Sequence, residues 1–233
     1  MTDRQRTALI TGGSGGLGTA VVGTFLDRGW RVVVPWILQR ELERLGEREG
    51  MELVQADLVE PDDVARAARA AIAESDAPLR AVVNLVGGYA GGQPVAETPL
   101  SDFEAQFEVN VRPTYLVVHE MLPHLVSSGG GTVVCMSSRP AVQPFAGAAG
   151  YCASKAAVLA FAKVVAAEHA DDGIRCNAVL PSQIDTPANR EAMPESAHAK
   201  LVPPEQIARV IHFLSTEESE PVNGAAIPVY GKG

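Results

Sequence analysis

Thr7-Ala8-Leu9-Ile10-Thr11-Gly12-Gly13-Ser14-Gly15-Gly16-Leu17-Gly18 is a short apolar run that ends in a glycine-rich turn, and a helical pattern follows it through Asp27. Strand, turn and helix in that order open a dinucleotide-binding unit. The glycines let the backbone come close to a pyrophosphate, and the anion suits the positive end of the helix that follows. A glycine-rich turn is weak evidence by itself, because loops collect glycine anyway; its place between a strand and a helix gives it weight.

Outward from this stretch, apolar runs and helical patterns alternate along the 233 residues. Further strands are expected at 31–34, 52–56, 80–86, 132–138, 175–180 and 225–229. Helices are expected at 38–49, 61–74, 101–126 (a short one and a long one), 150–170 and 204–215. The strands read as continuous apolar runs, which calls for a parallel sheet covered on both faces. Right-handed crossovers then give a Rossmann-type, doubly wound α/β sheet of seven parallel strands with helices on both faces. No repeat, low-complexity tract or linker interrupts the chain, so one domain over 1–233 is expected. The longest stretch without periodicity is 182–203. Ligands in such folds sit beyond the carboxyl ends of the strands, so a substrate lid is expected at about 186–203.

The formal charge of −9 argues against nucleic acid or an anionic membrane as partner, since both select basic surfaces. No run approaches the ~18 apolar residues of a membrane span. Met1 to Arg6 is polar and shows no secretory h-region. Cys135, Cys152 and Cys176 fall inside expected strands or helices without metal-ligand spacing, so core roles, no metal and a reducing cytoplasm are expected.

One further motif carries chemistry: Tyr151-Cys152-Ala153-Ser154-Lys155. A phenol and an ammonium four residues apart lie on one face of a helix, one turn from each other. Alone, the pair reads equally as a tyrosine made acidic by its neighbour or as a solvated lysine beside a packed tyrosine. Taken in order with Thr11-Gly12-x-x-x-Gly16-x-Gly18, Asp57, Asn84-x-x-Gly87, Asn110 and Ser138, thirteen residues before the tyrosine, it resembles the short-chain dehydrogenase/reductase family over essentially the whole chain.

The resemblance implies an NAD(P)-dependent oxidoreductase that moves a hydride between a nicotinamide cofactor and a small carbonyl or alcohol substrate. Tyr151 would be the general acid/base. Bringing a phenol from ~10 to near neutrality takes roughly 4 kcal/mol of differential stabilisation, which Lys155 would supply in large part, aided by the positive nicotinamide. Ser138 would hydrogen-bond the reacting oxygen, or merely cap a turn. Asn110 would hold a relay water, or be a buried amide satisfied by backbone. The cofactor would meet Gly12, Ser14, Gly15, Gly16, Leu17 and Gly18 of the turn, Trp36 after the second strand, and Asp57 and Leu58 after the third. It would also meet Asn84, Val86 and Gly87 after the fourth strand, Tyr151 and Lys155, and Pro181, Ile184 and Thr186 after the sixth. Asp57 would accept from adenine unless it is a turn aspartate. Ser182 stands where relatives carry glycine, which leaves that loop's path open.

Members that prefer NAD usually end the second strand on an acidic residue, and members that prefer NADP often carry a basic one nearby. Here Pro35-Trp36-Ile37 and Gly15 offer neither. Without a carboxylate to repel a 2′-phosphate, and with Arg40 close by, the expectation leans to NADP(H). Residues 86–92 and 178–194 also resemble parts of quinonoid dihydropteridine reductases, although the serine at 138 fits a carbonyl better. A non-catalytic dinucleotide sensor or scaffold is a further alternative. Tyr89, Arg139, Phe145 and Gln183 flank the expected site, and Arg190, His198 and Lys200 lie in the lid segment. The resemblance further implies a homotetramer or homodimer formed through the helices at 110–126 and 151–170.

Overall fold

The computed structural model describes residues 6–232; the rest of the polar start at 1–5, and residue 233, lie outside them. Seven strands form one sheet: β1 (Thr7–Thr11), β2 (Arg31–Trp36), β3 (Met51–Gln55), β4 (Leu79–Asn84), β5 (Gly131–Met136), β6 (Ile174–Pro181) and β7 (Ala226–Val229). Every pairing is parallel, and the spatial order is β3-β2-β1-β4-β5-β6-β7. The chain leaves the sheet at β3 and returns beside β1 as β4. The strand order therefore reverses between β1 and β4, and a crevice opens there at the carboxyl ends.

The connecting helices are α1 (Gly18–Leu26), α2 (Pro61–Ile72), α3 (Leu100–Asn110), α4 (Arg112–Ser127), α5 (Ala149–Glu168), α6 (Pro187–Ala192) and α7 (Pro204–Leu214). They cover the sheet in two layers. On β1, Leu9 belongs to a core shared with α2, α4 and α5, whereas Ala8 and Ile10 belong to the opposite core with α1 and α7. This is the two-residue strand period feeding two buried faces. All five residues of β1 are buried, which is why its sequence shows no alternation.

Several expectations need correction. The helix expected at 38–49 is only a 3-10 segment, Gln39–Arg44. Gly46 and Gly50 adopt φ of 62° and 80°, and Leu45 is the only buried residue the segment has beside it, so no apolar stripe holds a longer helix against the sheet. The edge strands are not continuous apolar runs: β3 and β7 are mostly exposed or half-buried, as strands with one neighbour allow. The strands expected to reach 86 and 138 stop at Asn84 and Met136; β1 ends opposite Asn84 at Thr11, whereas β6 runs two residues past Val179, the partner of Met136. The freed residues become site loops. Conversely, β2 continues to Trp36 through Pro35, beyond its last register with β1 at Leu9↔Val33, so the missing N–H interrupts no bond to that strand.

α5 is also long and apolar enough to match a membrane span, contrary to the sequence expectation. It is a core helix: it packs on β6 and α3 and buries Lys155. Cys135, Cys152 and Cys176 are all buried and free.

On α7, His212 meets Phe25 and Trp30 edge-to-face at 5.1 and 6.2 Å, and its Nε2 has no partner among the described residues. Burial, aided by Arg28 and Arg6, lowers its pKa from 6.5 to about 4. The unfolded chain thus takes up a proton near 6.5 that the folded chain refuses, and stability is lost as pH falls from about 6.5 toward 4. We predict that the thermal midpoint drops by a few degrees across that window, since ~1 kcal/mol moves it roughly 2–4 °C at this size. In His212→Phe that part of the slope should vanish; an unchanged slope in the variant would discount the histidine as its source.

Candidate active site

The site is assembled at the carboxyl ends of β1, β4, β5 and β6. α5 brings Tyr151 and Lys155 to it one turn apart, with alanine at many of the remaining positions keeping the helix close to its neighbours. Lys155 is 4% exposed. Its Nζ donates to the Met136 carbonyl at 3.0 Å, and its own carbonyl accepts from Ser137 Oγ at 2.8 Å. Both bonds tie the helix to the end of β5. Burial lowers the amine's pKa to about 8.

Ser138 follows in extended backbone, and its hydroxyl lies close enough to the Tyr151 phenol to act on it. Tyr89 packs edge-to-face on the Tyr151 ring at 5.1 Å. Burial raises the phenol's pKa above its ordinary value; the Ser138 hydroxyl opposes this, and Cys152 and Tyr89 add to it. The sequence expectation of a phenol acidified by Lys155 is therefore not what this structure holds. The lysine's ammonium turns to Met136, and desolvation of the phenol outweighs the influence of the Ser138 hydroxyl.

Asn110, fully buried at the end of α3, uses its carboxamide on backbone. Oδ1 accepts from Gly88 N at 3.0 Å, and Nδ2 donates to Gly88 O at 3.0 Å and to Ser154 Oγ at 3.1 Å. The carboxamide is thus engaged by the loop after β4 and by Ser154, as a buried amide held largely by backbone would be. One turn earlier, Gln106 Oε1 accepts from Ala90 N at 3.1 Å. Gly87 lies between these groups and the lysine: a Cβ there would sit 2.6 Å from Asn110 Oδ1 and 2.8 Å from Lys155 Nζ.

The glycine turn is equally confined. Gly12 has φ of 66°, and a Cβ on Gly18 would meet Gly12 O at 2.1 Å. Thr11 Oγ1 accepts from Leu85 N at 3.1 Å, joining the ends of β1 and β4. A Cβ on Gly16 would touch Thr186 at 2.9 Å, so the turn and the segment after β6 are in contact. Thr186 caps α6, accepting from Asn189 N at 3.3 Å. Gly15 and Leu17 belong to the same turn, through Gly15 N to Gly12 O at 3.1 Å and Val21 N to Leu17 O at 3.2 Å. Pro181 ends β6, and Ile184 bridges to Val202.

Beside the turn lies a cavity of about 630 Å³. Of the expected cofactor residues, Gly12, Ser14, Trp36, Asp57, Leu58 and Val86 line it. Asp57 also makes a turn, its Oδ1 accepting from Val59 N at 3.2 Å. Asn84 is not in the lining: it is buried in the sheet between Thr11 and Cys135, and its amide has no partner among the described residues. Arg40 is exposed and also lies off the lining. Glu41, which the sequence reading passed over, does line the cavity, and it accepts from Ser14 Oγ at 3.0 Å. A carboxylate thus stands near the turn, though not at positions 35–37, on which the lean to NADP(H) rested. Ser137, Ser154 and Gln106 were also missed. Only Ser154, inside the Tyr-x-x-Ser-Lys run, stood near a recognisable motif.

Comparison with known proteins agrees with this arrangement. Residues 6–197 match the short chain dehydrogenase family. A 2-(R)-hydroxypropyl-CoM dehydrogenase from Xanthobacter autotrophicus is 33% identical, covering 97% of this chain and 98% of its own. Among solved structures, ElxO with NADP bound superposes with a TM-score of 0.90 at 25% identity, covering 97% of both chains. A 3-ketoacyl-(acyl-carrier-protein) reductase from Brucella melitensis complexed with NADH superposes at 0.86 with 27% identity, again over 97% of both. Fold and site together define a nicotinamide-dependent oxidoreductase acting on a small molecule. The chain belongs to the short-chain dehydrogenase family.

Because Gly87 has no room for a methyl group, Gly87→Ala should push Lys155 and Asn110 apart. We predict at least a tenfold loss of kcat with the circular dichroism spectrum unchanged. A variant that turns over like the wild type would show that the lysine's position does not matter to the reaction.

Proposed function

We propose that the protein interconverts a small ketone or aldehyde with its alcohol, with Tyr151 as the proton-transferring residue. The observation that carries this reading is the Ser138 hydroxyl placed beside the Tyr151 phenol, with Lys155 buried at the end of β5. Two hydroxyls that already meet each other can meet on one substrate oxygen. The nicotinamide cofactor supplies or accepts the hydride. Gly12, Ser14, Gly15, Gly16, Leu17 and Gly18 would hold its pyrophosphate and adenosine ribose, with Trp36, Asp57, Leu58 and Val86 around the adenosine. Gly87, Tyr151, Lys155, Pro181, Ile184 and Thr186 would hold its nicotinamide end.

During reduction, Ser138 would orient the carbonyl oxygen and Tyr151 would hand it a proton as negative charge develops there. A phenol whose pKa lies above the ordinary value is in the protonated state that this direction requires. Oxidation of the alcohol needs the phenolate instead, so it gains as pH rises. Lys155, with a pKa of about 8, carries its charge below that pH and would use it to hold the nicotinamide end of the cofactor.

The intact Ser138, beside Tyr151, favours a carbonyl oxygen over the imine of a quinonoid pterin, which is the second reading. The hydroxypropyl substrate in the name of the Xanthobacter relative also supports an alcohol/carbonyl pair. The segment after β6, with α6 and a 3-10 turn over Glu195–Lys200, would act as the lid. Tyr115 and Val164 are exposed on α4 and α5, 49% and 50%, and Tyr115 packs against Phe161 at 5.9 Å. These helices would form the interface of a homodimer or homotetramer, in a cytoplasmic enzyme. Glu41 moves our reading of the cofactor from NADP(H) toward NAD(H).

Tyr151→Phe is expected to lower kcat/KM for reduction by 10²–10⁴-fold, the usual worth of a positioned proton donor, without weakening cofactor binding. Retention of full turnover would refute the assignment. In the wild type, reduction should decline as pH rises through about 8, when Lys155 loses its proton; a rate flat from pH 6 to 10 contradicts this role for the lysine.

A further inference from the structure

We infer that Tyr89 and Phe145 form an aromatic wall that selects the substrate: a neutral ketone whose carbonyl carbon carries a ring, an aryl ketone above all, rather than an anionic or short aliphatic one. The inference deepens the reading of Tyr151 as proton donor to a carbonyl, and rests on it.

Tyr89 lies on the loop after β4 and Phe145 on the loop after β5, and these large rings are 58% and 50% exposed. Exposed rings gathered in one place mark a surface that something apolar covers. Tyr89 packs edge-to-face on Tyr151 with centroids 5.1 Å apart, and Phe145 stands 6.3 Å from Tyr89 at a tilt of 39°. The wall therefore begins at the ring of the reacting phenol. A substrate oxygen held by that phenol brings the group on its carbonyl carbon next to Tyr89, within the roughly 4.5–7 Å over which aromatic rings pair.

The wall is set before a substrate arrives. Gly92 N donates to Gly147 O at 2.7 Å, so the two loops are joined through their backbones. Asn110 and Gln106 brace the first loop through Gly88 and Ala90. Gly91 leaves space for the Tyr89 side chain: a Cβ there would sit 3.0 Å from its hydroxyl oxygen. Rings on a fixed backbone lose little freedom when a third settles on them. The arginines of the flanking segments are committed elsewhere. Arg139, next to Ser138, donates from Nε to Gln143 Oε1 at 2.7 Å and lays its guanidinium over Tyr230, 4.9 Å from the ring centroid. Arg190 donates to Asp185 Oδ2 at 2.7 Å. A carboxylate drawn to either arginine would have to break its contacts, and one left against the rings would be desolvated without a partner. A phenyl group meets neither obstacle.

Steady-state reduction of acetophenone, acetone and pyruvate by the purified full chain, with NADH and with NADPH, tests this. The wild type should use acetophenone with a kcat/KM at least about thirtyfold above that of acetone or pyruvate, the scale of burying one ring. Tyr89→Ala should cut the acetophenone-to-acetone ratio at least about tenfold, ~1.4 kcal/mol, chiefly through KM for acetophenone. Taking the ratio divides out any general effect of the change on Tyr151. Tyr89→Phe keeps the ring and should hold the ratio within about threefold, whereas Phe145→Ala should lower it as Tyr89→Ala does. Acetone or pyruvate used as efficiently as acetophenone by the wild type, or an unchanged ratio in Tyr89→Ala, would overturn the inference. Should Tyr89→Ala fold poorly, the wild-type ratios and Phe145→Ala decide the matter. If a dinucleotide binds and none of the three carbonyls is reduced, the carbonyl reading itself falls and takes the inference with it, which is a different outcome.

Discussion

An ammonium buried to 4% exposure is the constraint around which the rest of this structure is arranged. Desolvating a cation costs several kcal/mol unless its environment compensates. Lys155 has one carbonyl, that of Met136, and its pKa of about 8 records how incomplete the compensation is. Holding the amine there requires the end of β5, the first turns of α5, the loop after β4 and the end of α3 to meet within one side chain's width. Ser137 fastens the helix backbone at Lys155, Gly87 leaves out the atom that would collide with the amine, and Asn110 fixes the loop that carries Gly87. Such poorly compensated groups gather at functional sites. The stability given up at Lys155 is supplied by the two cores on either face of the sheet.

The sequence made the framework legible where one physical cause dominates. The central strands are buried on both faces, so β1, β4, β5 and β6 stood out as apolar runs. The tight turn at Gly12–Gly18 announced itself because only glycine fits it. Legibility failed where several weak causes compete. Residues 38–49 carry helix-forming side chains, but two glycines in left-handed conformations and a single buried leucine leave only a short 3-10 turn. The edge strands lack the uniform apolarity of the centre, because each has a neighbour on one side only.

At the site the same division holds. Tyr151, Lys155 and Ser138 could be read as a set through the family resemblance they help to carry, and the structure brings them together. The sign of the phenol's shift could not, because it depends on how deeply the ring is buried and on where the ammonium points. Nor could the partner of Asn110, since a carboxamide bonds whatever backbone the fold delivers. Glu41 lay in the stretch whose conformation was misjudged, and a side chain 27 residues from Ser14 becomes its neighbour only when β2 ends and the chain turns back as it does here.

The clamp on the loop after β4 has a consequence for how the protein can change. Asn110 and Gln106, one turn apart on α3, hold the loop by main-chain atoms of Gly88 and Ala90. Neither reads the side chain of residue 89, whose ring projects onto Tyr151 and toward Phe145 at 6.3 Å. Scaffold and selectivity are thereby written in separate residues. Mutational drift at position 89 can recast the mouth of the pocket while the lysine behind it stays in register, so a descendant with new substrate tastes is reachable through single, foldable steps.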